Sequence, residues 1–226
     1  MAKPKPKGDG WSVARPQVSA NGDPAPTELV DHDEWIGAVA TEDYIGQRAD
    51  GIELSDVVVP KGRWSGVTFE RLLATDVAFS DCDLSGFVLQ DESSLRRASF
   101  TRCRLSGAVF AGAKLCDVSF TECSLDDANF RMAELERISF DDCPVTAADF
   151  YGAKITMARV TKCDLRGVTL SKASLTDVDL RTSQLQDIIG ADALRGATVD
   201  TGQVVSLARS LALALELKVV DADADV

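Results

Sequence analysis

Histidine is almost absent from this chain. Of 226 residues only His32 is one. That leaves no Ser-His or Cys-His nucleophilic pair. The sequence also has no HExxH pair, no CxxC pair and no glycine-rich phosphate loop after a strand. Basic residues are few: 24 Lys and Arg stand against 36 Asp and Glu, a net charge of −12. Sequence-independent nucleic-acid binding needs a basic footprint, so direct binding of DNA or RNA is not expected. No apolar run reaches the roughly 20 residues of a membrane span. Lys3, Lys5 and Lys7 have no apolar segment behind them, so no secretory signal is expected. Six cysteines show no pairing scheme, which fits a reducing cytoplasm. Together these absences predict a cytoplasmic protein that is not an enzyme and holds no metal and no cofactor. Asp31-His32-Asp33-Glu34 offers ligand types in a row, but adjacent residues rarely converge on one ion, and a solvated acidic run is the expectation.

What is present is a strict period of five. From Leu95 to Leu185 every fifth residue is large and apolar: Leu95, Phe100, Leu105, Phe110, Leu115, Phe120 and onward. Two residues earlier runs a column of small or β-branched residues, from Ser93 and Ala98 through Cys103 to Ser183. A helix needs a period near 3.6 and a strand a period of 2, so neither explains it. Fixed-period self-similarity marks a repeat architecture. Every fourth unit is alike: Cys103, Cys123, Cys143 and Cys163 are twenty apart, and so are Phe100, Phe120 and Phe140, and Phe110, Phe130 and Phe150. Four units therefore make one turn, and like side chains stack at about 4.8 Å, the spacing of adjacent strands. The predicted object is a four-sided all-β solenoid with both apolar columns inside.

Ala128-Asn129-Phe130-Arg131-Met132 and Ala148-Asp149-Phe150-Tyr151-Gly152 resemble the pentapeptide-repeat family, whose units read Ala-Asp/Asn-Leu-x-x. The resemblance implies a right-handed quadrilateral β-helix.

In chain order, residues 1–26 are rich in Pro, Gly, Lys and Ala and are read as a disordered tail. Residues 27–50 hold Trp35, Ile36 and Tyr44 among acids and are read as an N-terminal cap on the solenoid. Repeats occupy 51–200, first in another frame, with Leu54, Trp64 and Phe69 in the large column. Pro60, Lys61 and Gly62 make one early unit poor. One extra residue within Gln90-Asp91-Glu92 predicts a bulge at a corner, which leaves Cys82 below Cys103 and Phe79 below Phe100. A C-terminal α-helix over 201–217 is predicted, with Thr201 as N-cap and Val204, Leu207, Leu211 and Leu215 as the stripe covering the last coil. Residues 218–226 read as an acidic tail. The five inward cysteines act as small hydrophobes, since Cβ atoms stacked at about 4.8 Å lie beyond the roughly 3.5–4.5 Å of a disulfide. Cys116, on an outer column, is expected to be reactive.

The family's best-known members bind DNA gyrase and topoisomerase IV. They imitate B-form DNA and protect the enzyme from quinolones or toxins. The resemblance thus implies gyrase as a protein partner, and implies a homodimer through the C-terminal helix, with Leu207, Leu211, Leu213, Leu215 and Leu217 as candidates. A single extra residue at Gln90–Glu92, with no long insertion, makes the chain similar to the loop-free members. Charge qualifies the reading: residues 65–187 hold 19 acids and 14 bases, net −5. The best acidic row lies where the Phe120 and Leu125 sides meet: Asp81, Asp83, Glu122, Asp126, Asp127, Asp141, Asp142 and Asp164. The rival expectations are a general interaction scaffold and a domain that regulates a cytoplasmic enzyme.

Overall fold

A computed structural model describes residues 11–90, 92–218 and 220. The first ten residues of the expected tail and Asp221–Val226 of the acidic tail lie outside the described residues.

The chain winds into a parallel β-solenoid of about seven turns. Strands Glu53–Pro60, Leu73–Ser80, Ser94–Thr101, Lys114–Thr121, Glu134–Asp141, Lys154–Thr161 and Ser174–Asp179 join in sequence order, each parallel to the next. Leu95 lies beside Leu115, Leu115 beside Leu135 and Leu135 beside Ile155, so one turn is twenty residues. Each of these strands bends at a residue with positive φ, Asp117 in the fourth, and so covers two sides of the prism. Short strands and single bridges complete the other two sides, as in the series Val88, Val109, Asn129, Asp149, Thr169, Ile189.

The two inward columns are the core. Leu95, Phe100, Leu105, Phe110, Leu115, Phe120, Leu125 and Phe130 are all buried, as are Ala98, Cys103, Ala108, Ala113, Val118, Cys123 and Ala128. The residue before each small inward residue turns the corner in the left-handed region. Arg97, Arg102, Asp117, Glu122, Asp127, Met132, Arg137 and Asp142 have φ between 49 and 58°. That conformation costs a non-glycine residue about 1–2 kcal/mol. Corner N–H groups offset the cost by bonding to the next coil, as from Glu122 N to the Asp141 carbonyl at 2.9 Å and from Asp142 N to the Thr161 carbonyl at 3.0 Å.

Phenylalanines fill the middle of the rod as two ladders. Phe79, Phe100, Phe120 and Phe140 stack with centroids 4.9–5.0 Å apart, and Phe110, Phe130 and Phe150 at 4.7–4.9 Å, all within 9° of parallel. The strand spacing imposes that stacking. Between the ladders the rings meet edge to face: Phe110–Phe120, Phe120–Phe130 and Phe130–Phe140 lie 6.2–6.4 Å apart at 75–90°. Edge-to-face contact sets positive ring edges against negative faces. Above Phe140 and Phe150 the columns continue as Val160 and Leu170, and there the interior holds a wholly apolar cavity of about 50 Å³.

The unit at Gly62 is in pattern after all. Gly62 takes the small slot, and a Cβ on it would sit 2.8 Å from Trp64 Nε1 and 2.9 Å from a Val59 methyl. The glycine makes room for the indole. The extra residue near Gln90 also falls as expected. Register moves from twenty to twenty-one, so that Phe79 meets Phe100. Glu92 turns left-handed and the buried Ser93 hydroxyl takes the Leu72 N–H at 3.0 Å.

Two expectations for the N-terminal region change. Residues 27–50 do cover the first regular coil, but by forming a coil: Glu34–Ile36 and Ala38–Val39 pair in parallel with Glu53–Pro60, and Arg48–Asp50 with Thr68–Glu70. Trp35, Tyr44 and Trp64 form an aromatic plug there, with centroids 4.9–6.3 Å apart. Asp33 accepts the Trp35 indole N–H at 2.9 Å, so the acidic run serves the fold. The described part of the expected disordered tail, from Trp11, is docked along the rod. Its backbone N–H groups bond to carboxylates along one corner: Ala14 to Asp117, Gln17 to Asp76 two coils below, and Ser19 to Asp56 one coil further. Composition alone points to solvation, because it carries no information on these distant acceptors.

The helix spans Thr201–Ala214 and its N-cap is Asp200, not Thr201. Asp200 accepts the Gln203 N–H and donates its own N–H to the Gln203 side chain, a reciprocal capping box. The helix is rotated from the expected stripe. Gln203, Leu207 and Ser210 are buried, Leu211 and Ala214 pack partly, and Val204 and Leu215 are exposed. Gln203 sets the rotation, because its buried amide donates to the Leu180 and Ser183 carbonyls at 2.6 and 2.7 Å.

Phe120→Ala is expected to cost about 3–5 kcal/mol, since it removes a ring that contacts four others. Val160→Phe extends the ladder into the cavity and is expected to raise the melting temperature, by an amount matching about 0.5–2 kcal/mol. Chemical and thermal denaturation read both changes, and a neutral Phe120→Ala disproves the ladder as the core.

Candidate partner-binding surfaces

No group of His, Cys, Asp and Glu among the described residues is arranged to hold a metal ion. No helix among them is long and apolar enough to cross a membrane. The surfaces that remain are ionic and apolar.

The corner between the Phe120 and Leu125 sides carries Lys61, Asp81, Arg102, Glu122, Asp142, Lys162 and Thr182 in successive coils. The acidic row is thus interrupted by cations. Asp81 pairs with Arg102 at 2.7 Å, and that guanidinium holds its carboxyl below the usual range. Asp164 pairs with Arg166 at 2.6 Å and is lowered in the same way. Asp83 is lowered by hydrogen bonds from Ser85. Asp126 is hydrogen-bonded by Ser124 and Thr146. Four of the eight candidates are left, Glu122, Asp127, Asp141 and Asp142. They are exposed and form no ion pair among the described residues. They lie on two adjacent coils, so the unpaired patch spans about 5 Å along the rod.

Elsewhere acids are laced to bases one coil away. Asp43 pairs with Arg63, Asp76 with Arg97, Asp117 with Arg137 and Glu134 with Lys154, at 2.5–2.9 Å. The sequence holds the signal, opposite charges twenty residues apart, or twenty-one across Gln90–Glu92. Counting charge by side hides it.

The cysteine column has a second task besides packing. At the corners before Ala108 and Ala113 the small residue's N–H closes a turn, as from Ala113 N to the Phe110 carbonyl at 3.1 Å. The corners before Cys103 and Cys123 have no such bond. The Cys103 N–H bonds instead to the Cys123 thiol and the Cys123 N–H to the Cys143 thiol, each at 3.4 Å, while Cys163 N–H uses the Ser183 hydroxyl at 3.1 Å. The Cys123 thiol donates to the Thr121 carbonyl in turn. From Cys103 to Ser183 the slot thus holds small side chains that both donate and accept. Hydrogen bonding with the Cys103 and Cys143 thiols, followed by burial, pushes the Cys123 thiol up. Cys116 lies on the outside as expected, half-buried, with Arg137 Nη2 at 2.7 Å. Burial raises its pKa, so it is less of a thiolate than its outer position suggested.

The five candidate leucines divide. Leu207 is buried against its own solenoid and Leu211 packs partly on it, so these two are committed within the chain. Leu213, Leu215 and Leu217 are exposed, together with Val204 and Val205.

A family model described as a pentapeptide repeat region matches residues 56–130, 93–168 and 113–189. No match was found among the curated proteins. Solved structures that match include full-length QnrB1, a plasmid-mediated fluoroquinolone resistance protein, at 18% identity over 82% of this chain and 97% of that one, with a TM-score of 0.45. HetL, a pentapeptide repeat protein involved in heterocyst differentiation regulation in the cyanobacterium Nostoc, matches at 19% identity over 76% and 91%, with a TM-score of 0.30. A pentapeptide repeat protein of the Arabidopsis thaliana thylakoid lumen matches at 18% identity over 65% and 71%, with a TM-score of 0.24.

Brief alkylation of the native protein is expected to label Cys116 first, more slowly than an unburied thiol, and to spare Cys82, Cys103, Cys123, Cys143 and Cys163. Mass spectrometry reads the order, and early labelling of Cys123 contradicts the inward column.

Proposed function

The chain belongs to the pentapeptide-repeat family, and from that premise we propose that it is a non-catalytic protein-binding rod whose partner is a type II topoisomerase, DNA gyrase or topoisomerase IV. The best-known members of the family act on these enzymes by imitating DNA. One observation carries the assignment of the surface. Glu122, Asp127, Asp141 and Asp142 are exposed and unpaired in a rod whose other acids are widely laced to arginines. Unpaired acids keep their field for a partner's basic groove, whereas a laced acid spends it within the chain. Charge steering of this kind raises association rates and weakens with salt. The homodimer belongs to the same proposal, through Leu213, Leu215 and Leu217, since a symmetric pair is the commonest oligomer.

The short extent of the patch favours a second reading. A rod whose acids are mostly paired suits a general interaction scaffold, because B-form DNA presents phosphates along its whole length.

Gyrase supercoiling, with and without a fluoroquinolone, distinguishes them. The protein is expected to inhibit supercoiling or to relieve the drug's effect. Replacing Glu122 by Gln and Asp126, Asp127, Asp141 and Asp142 by Asn leaves the inward columns intact, and is expected to weaken the effect at least about tenfold and to remove its salt dependence. Undiminished activity in that variant rules out the patch, and no effect from the wild type leaves the scaffold. Leu213→Asp with Leu217→Asp is expected to halve the mass seen by light scattering; an unchanged mass sinks the helix interface.

A further inference from the structure

The corner between the Leu115 and Phe120 sides carries Asp56, Asp76, Arg97, Asp117, Arg137, Met157 and Asp177 in successive coils. The segment from Trp11 to Ser19 runs along it, antiparallel to the direction in which the coils advance. Trp11 lies against the Arg159 guanidinium, 5.4 Å from the ring centre. Ala14 N donates to Asp117 at 3.2 Å and Gln17 N to Asp76 at 2.9 Å. Ser19 donates to Asp56 twice, from its N–H at 2.6 Å and its hydroxyl at 2.9 Å. Trp11, Val13, Pro16 and Val18 are half-buried and alternate with exposed residues.

The spacing explains the fit. Three extended residues cover about 10 Å, and two coils about the same. An extended chain laid along the rod thus brings every third N–H to every second coil, where Asp117 and Asp76 stand. Both acids are pre-set. Arg97 grips Asp76 through two bonds of 2.7 and 2.5 Å, and Arg137 grips Asp117 at 2.8 and 2.9 Å. Their side chains are only 14% and 10% exposed. The carboxylates hold one rotamer with lone pairs left for a backbone donor. That recognition is of backbone, with little demand on side chains.

We propose that this corner is a receptor for an extended polypeptide of a partner protein, and that residues 11–19 occupy it in cis as a displaceable strap. The partner segment has the strap's own chemistry: an aromatic residue to lie on Arg159, free backbone N–H groups at the spacing of Ala14, Gln17 and Ser19, small apolar residues between them and a serine or threonine opposite Asp56. The reading is independent of the gyrase proposal, which concerns another corner. A strap held mainly by exposed hydrogen bonds opens readily, while its tether gives it a high local concentration that keeps outside segments away.

The test uses the full-length chain with its strap disabled. Ala14→Pro and Gln17→Pro remove two of the three backbone donors, and Val18→Asp removes an apolar contact, while no residue of the solenoid changes. A fluorescent peptide of residues 9–22 is titrated into wild type and variant by anisotropy. The peptide is expected to bind the variant about tenfold or more tightly than wild type, and a peptide carrying the two prolines is expected not to bind. Adding Asp76→Asn and Asp117→Asn to the variant is expected to abolish binding while leaving a cooperative thermal transition. Equal binding to wild type and variant overturns the proposal, as does no binding to either. A wild-type dimer that dissociates when the two prolines are introduced overturns it in favour of strap exchange between copies.

Discussion

One constraint governs the whole molecule: each coil must lie on the next in register, at the spacing of hydrogen-bonded strands. Every residue then has its equivalent from the next turn about 4.8 Å above it, and any property of a side chain is repeated along a column. Phenylalanine over phenylalanine becomes a ladder. Cysteine over cysteine becomes a chain of thiol hydrogen bonds. Aspartate under arginine becomes an ionic stitch. Even the irregular places obey it. The extra residue near Gln90 is taken up at one corner, and register resumes with Phe79 against Phe100.

The same constraint decides what was legible. The inward slots admit few residue types, so their columns are visible as a period, and the four-sided solenoid closed by a helix is the fold observed. What the period does not encode was missed. Gly62 looked like a defect because its partner, the Trp64 indole, is known only once both face inward. The helix is apolar nearly all round, and a stripe drawn from hydrophobicity alone lacked the buried Gln203, which faces inward to meet two carbonyls. The strap was invisible for a different reason: residues 11–19 have no repeat, and their acceptors are 37 to 103 positions away.

For the acidic corner, formal charge and available charge differ. Eight candidate acids share one region of the surface, but Arg102 and Arg166 neutralise two of them, and hydroxyls or turn amides engage two more. The sequence supplies the inventory of acids. Only their positions relative to arginines one coil away tell which retain a field that reaches a partner.

The change of core from aromatic to aliphatic above Phe140 and Phe150 gives the rod a direction. In a solenoid each turn touches only its neighbours, so stability is a sum of turn and interface contributions, and folding spreads from wherever that sum first becomes favourable. The coils from Phe79 to Phe150 hold both phenylalanine ladders and little empty space, whereas the later coils are lined by Val160, Leu165, Leu170 and Leu175 around a void. The middle is thus the natural nucleus. Winding is expected to proceed outward from it and the carboxyl end to fray first, which makes the helix from Thr201 a clasp on the turn with the loosest core.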